Sequence, residues 1–162
     1  MPLTDATHDL ESRTITITAD FAAPVERLWQ VYADPRQLER IWGPPTHPAT
    51  FVDHDLTPGG RMNYYMTGPD GERYYGFWRI TQVDEPTSFT FEDGFAVDDS
   101  FAENPDLPVG SNTFTFEPDG DHTRMTAVTT YPSAEALQQV LNMGVIEGAT
   151  SAMGQIDGLL AS

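Results

Sequence analysis

The clearest pattern of apolar and polar positions lies near the start of the chain. Residues 14–20 alternate, with Ile15 and Ile17 on one face, which predicts a β-strand. Pro24 then suits the first turn of a helix, because its fixed φ and missing N–H are compatible with that position. The apolar stripe that follows has helical spacing and consists of Val25, Leu28, Trp29 and Tyr32.

Short alternating segments separated by turn residues fill the middle of the chain. Gly68-Pro69-Asp70-Gly71 has the residue types of a hairpin turn. Residues 93–112 are acidic and rich in Pro and Gly, which predicts a long mobile loop. The predicted strands of this region cover residues 50–56, 61–67, 73–83, 88–92, 113–116 and 123–131.

A long helical pattern ends the chain. Ser133 is a suitable N-cap, and apolar or small residues recur at helical spacing over residues 134–160. Consecutive hairpins followed by one terminal helix imply an antiparallel sheet that curls around that helix. We therefore predict an α+β fold with a curved seven-stranded antiparallel sheet and two short helices after the first strand. Residues 13–162 form its single domain, and residues 1–12, which are polar and lack a period, form a flexible tail.

The charge balance is strongly acidic. The chain has 8 Lys and Arg against 25 Asp and Glu, a formal net charge of −17, and all of its basic residues are arginine. Such a surface repels phosphate backbones and anionic bilayers, so neither a nucleic acid nor a membrane is expected as a partner. A lysine-free, carboxylate-rich surface suits multimolar salt and indicates a halophilic source. An ordinary acidic bacterial protein is the alternative.

Other features of the composition exclude further chemistry. The chain has no cysteine, which rules out disulfides, thiolate catalysis and cysteine-ligated metals. No apolar run is long enough to span a membrane, and the first residues lack the order of a signal peptide, so we expect a cytoplasmic protein. Asp53 and Asp55 point away from His54 on an alternating strand and cannot share a metal ion with it. No metal site, cofactor or catalytic nucleophile is predicted.

Punctuating residues mark the order of these elements. They are Ala23-Pro24 with Leu28-Trp29, Asp34-Pro35, Trp42-Gly43-Pro44, Gly59-Gly60-Arg61, Gly68-Pro69-Asp70-Gly71, Gly76, and Gly144 with Gly148. In this order and spacing, residues 13–160 resemble the START-like superfamily (also called SRPBCC or birch-pollen-allergen-like), and most closely the family related to the activator of the heat-shock-protein ATPase. The resemblance implies a helix-grip fold. The superfamily includes lipid and hormone carriers, aromatic polyketide cyclases and co-chaperone domains, so fold alone does not choose the function.

Two positions depart from the pattern of that family. Ile41 stands where the family often has a tryptophan before Gly-Pro, and Ala149 stands where it often has one after the second helical glycine. Both changes replace a large aromatic side chain with a smaller one, which either widens the interior or repacks it. The resemblance also allows a homodimer, for which the sequence carries no mark.

The interior of such a fold offers the candidate binding site. Gly144, Gly148 and Ala152 share one helical face, which either lets the sheet pack closely or leaves space for a ligand. Aromatic residues and methionines on the strands are either plain core or the lining of an apolar cavity with a few polar groups. The candidate ligand-binding residues are Trp42, His54, Met62, Tyr64, Met66, Trp78, Phe89, Phe91, Phe114, Gly144, Gly148 and Ala152.

His54 is the candidate polar group among them. Val52, His54 and Leu56 alternate onto one face that is otherwise apolar. A histidine in this setting is either a hydrogen-bonded core residue or a group that orients a ligand or acts as a general base.

The leading hypothesis is a protein that binds a small apolar or amphipathic molecule between the sheet and the C-terminal helix, with residues 93–112 as a gate. One alternative is a cyclase-like or hydrolase-like enzyme in the same cavity, with His54 beside Tyr64 or Arg61. The other is a co-chaperone-like interaction module, which predicts a filled core and an exposed apolar patch.

Overall fold

One antiparallel sheet of eight strands, in the order β1-β2-β8-β7-β6-β5-β4-β3, forms the centre of the molecule in a computed structural model that describes residues 3–161. Strand β2 pairs with β8 and so joins the two ends of the chain, while the other neighbours are consecutive hairpins. The predicted α+β class and antiparallel sheet are confirmed. The strands are β1 (Leu3–Asp9), β2 (Thr14–Phe21), β3 (Ala49–Asp53), β4 (Arg61–Thr67), β5 (Arg73–Asp84), β6 (Ser88–Phe95), β7 (Gly110–Asp119) and β8 (His122–Thr130).

Helices cover one face of this sheet. The apolar stripe predicted for the first helix is buried. The Asp34 side chain caps the second helix by accepting a hydrogen bond from the backbone N–H of Arg36 at 2.9 Å. The helices are α1 (Val25–Ala33), α2 (Pro35–Trp42), α3 (Ala134–Asn142), α4 (Val145–Met153) and α5 (Ile156–Leu160).

Strand β1 corrects the prediction of a flexible tail over residues 1–12. Residues Leu3–Asp9 pair antiparallel with β2, which makes the sheet eight-stranded and not seven-stranded. Most of its described side chains are exposed, so the strand is held by backbone hydrogen bonds and needs no apolar alternation. The lack of apolar alternation in residues 1–12 is therefore compatible with a strand, and the sequence pattern does not reveal β1. Residues 1 and 2 lie outside the described part of the chain.

The C-terminal helix is not continuous as predicted over residues 134–160. It is divided into α3, α4 and α5, with breaks at Gly144 and at Gly154-Gln155. Gly144 has a φ of 81°, the left-handed conformation that glycine adopts without strain, so it ends α3 and redirects the chain into α4. The three segments still pack on the sheet, because Leu137, Met153 and Ile156 belong to its main core.

The covered side of the sheet, called here the inner face, is filled at one end. Trp29 of α1 meets Phe89 and Phe116 edge-on, with ring centroids 5.7 and 5.8 Å away. Tyr32 packs against Phe89 at 5.7 Å. The first helix therefore occupies the end of the inner face where β6 begins, and space remains towards the opposite end, where β6 finishes at Phe95.

The connection between β6 and β7 is shorter than predicted. Strand β6 continues to Phe95 and β7 begins at Gly110, so the loop covers residues 96–109 instead of 93–112. Part of it packs on the outer side of the sheet, where Phe101 contacts Phe77 in a small separate core. Arg61 Nη2 donates to the Phe101 carbonyl at 2.5 Å and fixes this contact.

Candidate functional site

A cavity of about 340 Å³ lies between the unfilled end of the inner face and helices α2, α3 and α4. Met143 lines it and is 53% exposed, so the cavity opens near the break between α3 and α4. Pro108 brings the β6–β7 loop to the lining. The lining consists of Ile17, Tyr32, Ile41, Trp42, Pro44, Tyr64, Met66, Asp93, Phe95, Pro108, Asn112, Phe114, Met125, Ala127, Thr129, Tyr131, Val140, Met143, Val145, Gly148, Ala149, Ala152 and Met153.

Half of the predicted binding residues line this cavity. Two of them, Tyr64 and Met66, alternate along β4 onto the inner face, as the sequence pattern implies. Their role in holding a ligand stays a prediction. The six residues are Trp42, Tyr64, Met66, Phe114, Gly148 and Ala152.

Four other predicted residues form solid core and do not line the cavity. Met62, Trp78, Phe89 and Phe91 are each 1% exposed or less. Trp78 stacks on Phe91 with centroids 4.1 Å apart, and Phe89 stacks on Phe91 at 5.4 Å. These side chains belong to the main core on the inner face as predicted, but ring-on-ring packing fills the space around them. Alternation identifies the face and not the position of the cavity along it.

His54 lies outside the cavity. Strand β3 ends at Asp53, and Val52 is 56% exposed, so the expected alternation onto an apolar face does not hold. The His54 ring instead reaches α1, where Nε2 donates to the carbonyl of Tyr32 at 2.9 Å. That carbonyl is in the last turn of the helix and has no partner further along it. His54 is therefore a hydrogen-bonded structural residue.

The two predicted glycines of the helical face differ in role. Gly144 forms the left-handed break and is not part of the lining. Gly148 does line the cavity, and a Cβ added to it would meet no other atom within 4 Å. Close packing of the helix on the sheet, one of the two interpretations of this face, is therefore wrong at Gly148. The missing side chain there leaves space.

A polar group that the sequence did not single out, the carboxylate of Asp93, lies on the cavity wall. The hydroxyl of Tyr64 donates to its Oδ1 across a long 3.4 Å. No other hydrogen bond reaches Asp93 from the side chains that the structure describes, so the carboxylate retains capacity for a further partner. The sequence pattern predicts a strand that ends at residue 92 and therefore places Asp93 in the loop that follows. One more step of the alternation Phe89, Phe91 would have placed it on the inner face.

Burial dominates the electrostatics of this wall. It raises the pKa of Asp93 from its ordinary 3.8 to about 7, against a smaller lowering by the hydrogen bond from Tyr64. Burial, followed by the Asp93 charge, also raises the pKa values of Tyr64 and Tyr131 well above the ordinary tyrosine value. The carboxyl group therefore changes its protonation state near neutral pH, while both phenols stay protonated.

A buried amide lies beside the carboxylate. Asn112 is 6% exposed, and its Oδ1 accepts a hydrogen bond from the Thr129 hydroxyl at 2.6 Å. Its amide nitrogen makes only long bonds, to the carbonyls of Phe91 at 3.5 Å and Gly110 at 3.4 Å. On the opposite wall, the Trp42 indole N–H lowers the pKa of Tyr64 by its proximity but is buried without a well-formed hydrogen bond. The cavity thus combines apolar walls with a few polar groups whose hydrogen bonds are long or missing.

Two glycines on the strands that flank β6 admit the rings that surround Asp93. A Cβ on Gly76 would lie 2.6 Å from the ring of Tyr64. A Cβ on Gly110 would lie 2.8 Å from Thr129 and 3.1 Å from the ring of Tyr131. Any side chain at either position would push an aromatic ring away from the carboxylate. The backbone at these positions therefore determines the shape of the polar wall.

The described residues contain no group of three or more His, Asp or Glu side chains that could hold a metal ion. Within the same part of the chain, no helix combines the length and apolar character needed to cross a bilayer.

Residues 22–161 match the family model described as "Activator of Hsp90 ATPase homolog 1-like protein". The chain is similar to protein Ms6760 from Mycobacterium smegmatis, with 67% identity, a TM-score of 0.91 and coverage of 98% of this chain and 97% of that one. It is also similar to a protein from Arthrobacter aurescens, with 44% identity, a TM-score of 0.93 and coverage of 98% and 91%. CalU16 from Micromonospora echinospora, at 18% identity and a TM-score of 0.57 over 88% and 74%, shares the fold alone. No curated protein matches the chain.

Proposed function

This chain belongs to the family of activator of Hsp90 ATPase homolog 1-like proteins, and from that premise we propose that it binds a small amphipathic molecule in the cavity between the sheet and helices α2–α4. The observation that carries the proposal is an apolar cavity of about 340 Å³ with one polar wall around Asp93. Such a volume lies within the range of small-molecule sites, in which apolar walls supply affinity and a few polar groups supply orientation.

Gly148 supports the same conclusion from the helix side. Glycine in a helix interior costs about 1 kcal/mol relative to alanine. At Gly148 no neighbouring atom requires the absence of a side chain. The lost helix stability is therefore not offset by closer packing, and open space for a ligand explains why the residue is tolerated.

A matched pair of variants tests the proposal. Gly148→Leu places a side chain into the cavity, whereas Gly158→Leu places the same side chain on the exposed surface of α5. We expect the neutral fluorescent probe prodan to bind the unaltered protein and the Gly158→Leu variant with a blue-shifted emission, and to lose this shift in Gly148→Leu. Equal binding by all three proteins, or binding by none, would count against a ligand in this cavity.

A second function, acid–base catalysis in the same cavity, is favoured by the carboxyl group of Asp93, whose pKa is raised to about 7. A group that titrates near the working pH is the most effective general base or acid. The sequence-based form of this hypothesis places His54 beside Tyr64 or Arg61, and of these three residues Tyr64 lines the cavity whereas His54 and Arg61 do not. Hydrolysis of naphthyl acetate should then rise with pH through about 7 and fall to the background rate in Asp93→Asn. Equal rates for the two proteins would reject it.

The co-chaperone-like alternative has less support. It predicted a filled core, whereas the described residues enclose a cavity. It also predicted an exposed apolar patch, whereas the large apolar residues that are exposed belong to separate segments of the chain. These residues are Leu10, Val52, Tyr74, Val97 and Met143. The family description refers to an activator of a chaperone ATPase, but the cavity among the described residues favours ligand binding over that role.

A further inference from the structure

The charges around the cavity select the kind of ligand that it accepts. Among the described residues that line it, none is arginine, lysine or histidine, and the only carboxylate is Asp93. The other ionisable side chains of the lining are tyrosines: Tyr32, Tyr64 and Tyr131.

An anionic head group is disfavoured in such a site. It would be removed from water without a positive partner, and it would lie beside the Asp93 carboxylate. The donors in the lining are neutral, among them the indole N–H of Trp42 and the amide of Asn112. Neutral donors compensate a buried negative charge far less than a guanidinium does. A fatty carboxylate is therefore a poor match for this wall.

A positive head group meets two favourable features. From the described part of the chain, the Asp93 carboxylate accepts one long hydrogen bond, so an ammonium N–H can also donate to it. The rings of Trp42, Tyr64 and Phe114 also line the cavity, and their faces attract cations. The net charge of −17 adds a general attraction for cations from solution.

We propose that the ligand is an amphipathic amine, whose ammonium group pairs with Asp93 while its apolar body fills the space beside Gly148. This inference rests on the proposed function and specifies its ligand class. The same cavity would bind a neutral molecule of equal shape more weakly and an anionic one least.

The pairing makes binding dependent on pH through Asp93. The titratable groups that face this carboxylate are Tyr64 on β4 and Tyr131 after β8, and both stay protonated at neutral pH. Its partners on the adjacent strands are Trp78 on β5 and Gly110 on β7, which do not titrate. The helical residues of the lining are uncharged. Between about pH 5 and pH 8, Asp93 is thus the group in the cavity that changes charge.

Three probes with the same apolar naphthyl body test the inference. They are the amine naphthylethylamine, the alcohol naphthylethanol and the anion of naphthaleneacetic acid. By calorimetric titration at about pH 8, we expect the amine to bind on the order of tenfold more tightly than the alcohol, and the carboxylate to bind least. Lowering the pH to about 5 should remove the preference for the amine, because Asp93 becomes protonated while the amine keeps its charge.

Two variants separate Asp93 from the general acidity of the protein. Asp93→Asn should reduce the affinity for the amine to about the level of the affinity for the alcohol. Asp121→Asn removes the same charge at an exposed turn between β7 and β8 and should keep the preference. The pH series on the unaltered protein serves as the test should Asp93→Asn fail to fold.

The outcomes distinguish this inference from the function on which it rests. Equal affinity of the unaltered protein for the amine and the alcohol would overturn the proposal of an amine ligand. A preference for the amine that survives Asp93→Asn would overturn it as well. If none of the naphthyl probes binds but prodan does, the amine is rejected and the cavity remains a ligand site. If prodan does not bind either, both proposals fall.

Discussion

The ring of Tyr64 lies directly over Gly76, its register partner on the neighbouring strand. A methyl group at position 76 would come within 2.6 Å of the Tyr64 ring, closer than carbon atoms approach one another. This contact holds the tyrosine hydroxyl towards Asp93 and so helps to form the polar wall of the cavity.

The Gly76→Ala variant should therefore displace Tyr64. We expect a loss of about 1–3 kcal/mol in the free energy of unfolding, the usual cost of overpacking a core. Urea denaturation measures it. In a Tyr64→Ala background the same change should cost much less, because the clashing ring is gone. Equal costs in the two backgrounds would show that the contact between these residues does not decide the effect.

Asp93 should make stability depend on pH. Its folded pKa, about 7, is raised above the unfolded value of 3.8, so its contribution is fully present below 3.8 and is lost as pH rises through about 7. Asp93→Asn should match the unaltered protein at acidic pH and exceed it above neutrality, on the order of 2–4 kcal/mol. Thermal unfolding of both proteins at a series of pH values tests this difference in stability. The other carboxylates are common to both proteins, so their titration cancels in the comparison. A constant difference would contradict the raised pKa.

Three glycines of the C-terminal helices should respond differently to alanine. Gly148→Ala and Gly158→Ala should each raise the free energy of unfolding by about 0.5–1 kcal/mol, because both positions have open space and gain helix propensity. Gly144→Ala should lower it by about 1 kcal/mol, because alanine is strained at a φ of 81°. Denaturant titrations compare the three. A stabilising Gly144→Ala would contradict the left-handed break between α3 and α4.

His54→Ala should affect stability and not ligand binding. Its Nε2 supplies a partner to the Tyr32 carbonyl, so we expect a loss of about 0.5–1.5 kcal/mol. Affinity for prodan should stay unchanged, because His54 does not line the cavity. His47→Ala removes a histidine ring from the loop after α2 and serves as the control for loss of a histidine side chain away from the Tyr32 carbonyl. A large fall in affinity with unchanged stability would restore His54 as a ligand-binding residue.

Salt should stabilise the protein. With a net charge of −17, repulsion among surface carboxylates opposes the compact state at low ionic strength, and added salt screens it. The melting temperature should rise from about 0.1 M to multimolar sodium chloride. An increase that continues to multimolar salt would favour the halophilic interpretation. A plateau at moderate salt would favour an ordinary acidic protein.

Much of the fold could be predicted because local patterns carry it. The stripe of α1, the alternation along β4 and the N-cap of Ser133 act within a few residues of the chain, and the structure retains all three. Strand β1 could not be predicted in this way. Its pairing depends on backbone hydrogen bonds to β2 and leaves most of its side chains exposed.

The candidate site was less accessible to prediction. Phe91 and Asp93 are two residues apart on one face of β6, yet the first is packed under Trp78 and the second lines the cavity. The difference depends on which rings from neighbouring strands cover each position, and local alternation does not carry that information. A carboxylate beside Pro- and Gly-rich residues is as typical of a loop as of a strand end, so the local pattern does not place Asp93 on the cavity wall.

From the sequence by itself, the succession of strands from β2 to β8, the inward face of strands such as β4 and the acidic composition were determined, because each is a property of neighbouring residues. Only the tertiary structure decided where the interior stays open and which polar groups face it. Glycines at positions 76, 110 and 148 show why: the same missing side chain admits an aromatic ring at the first two and leaves space at the third. Which of these happens is set by residues far away in the chain.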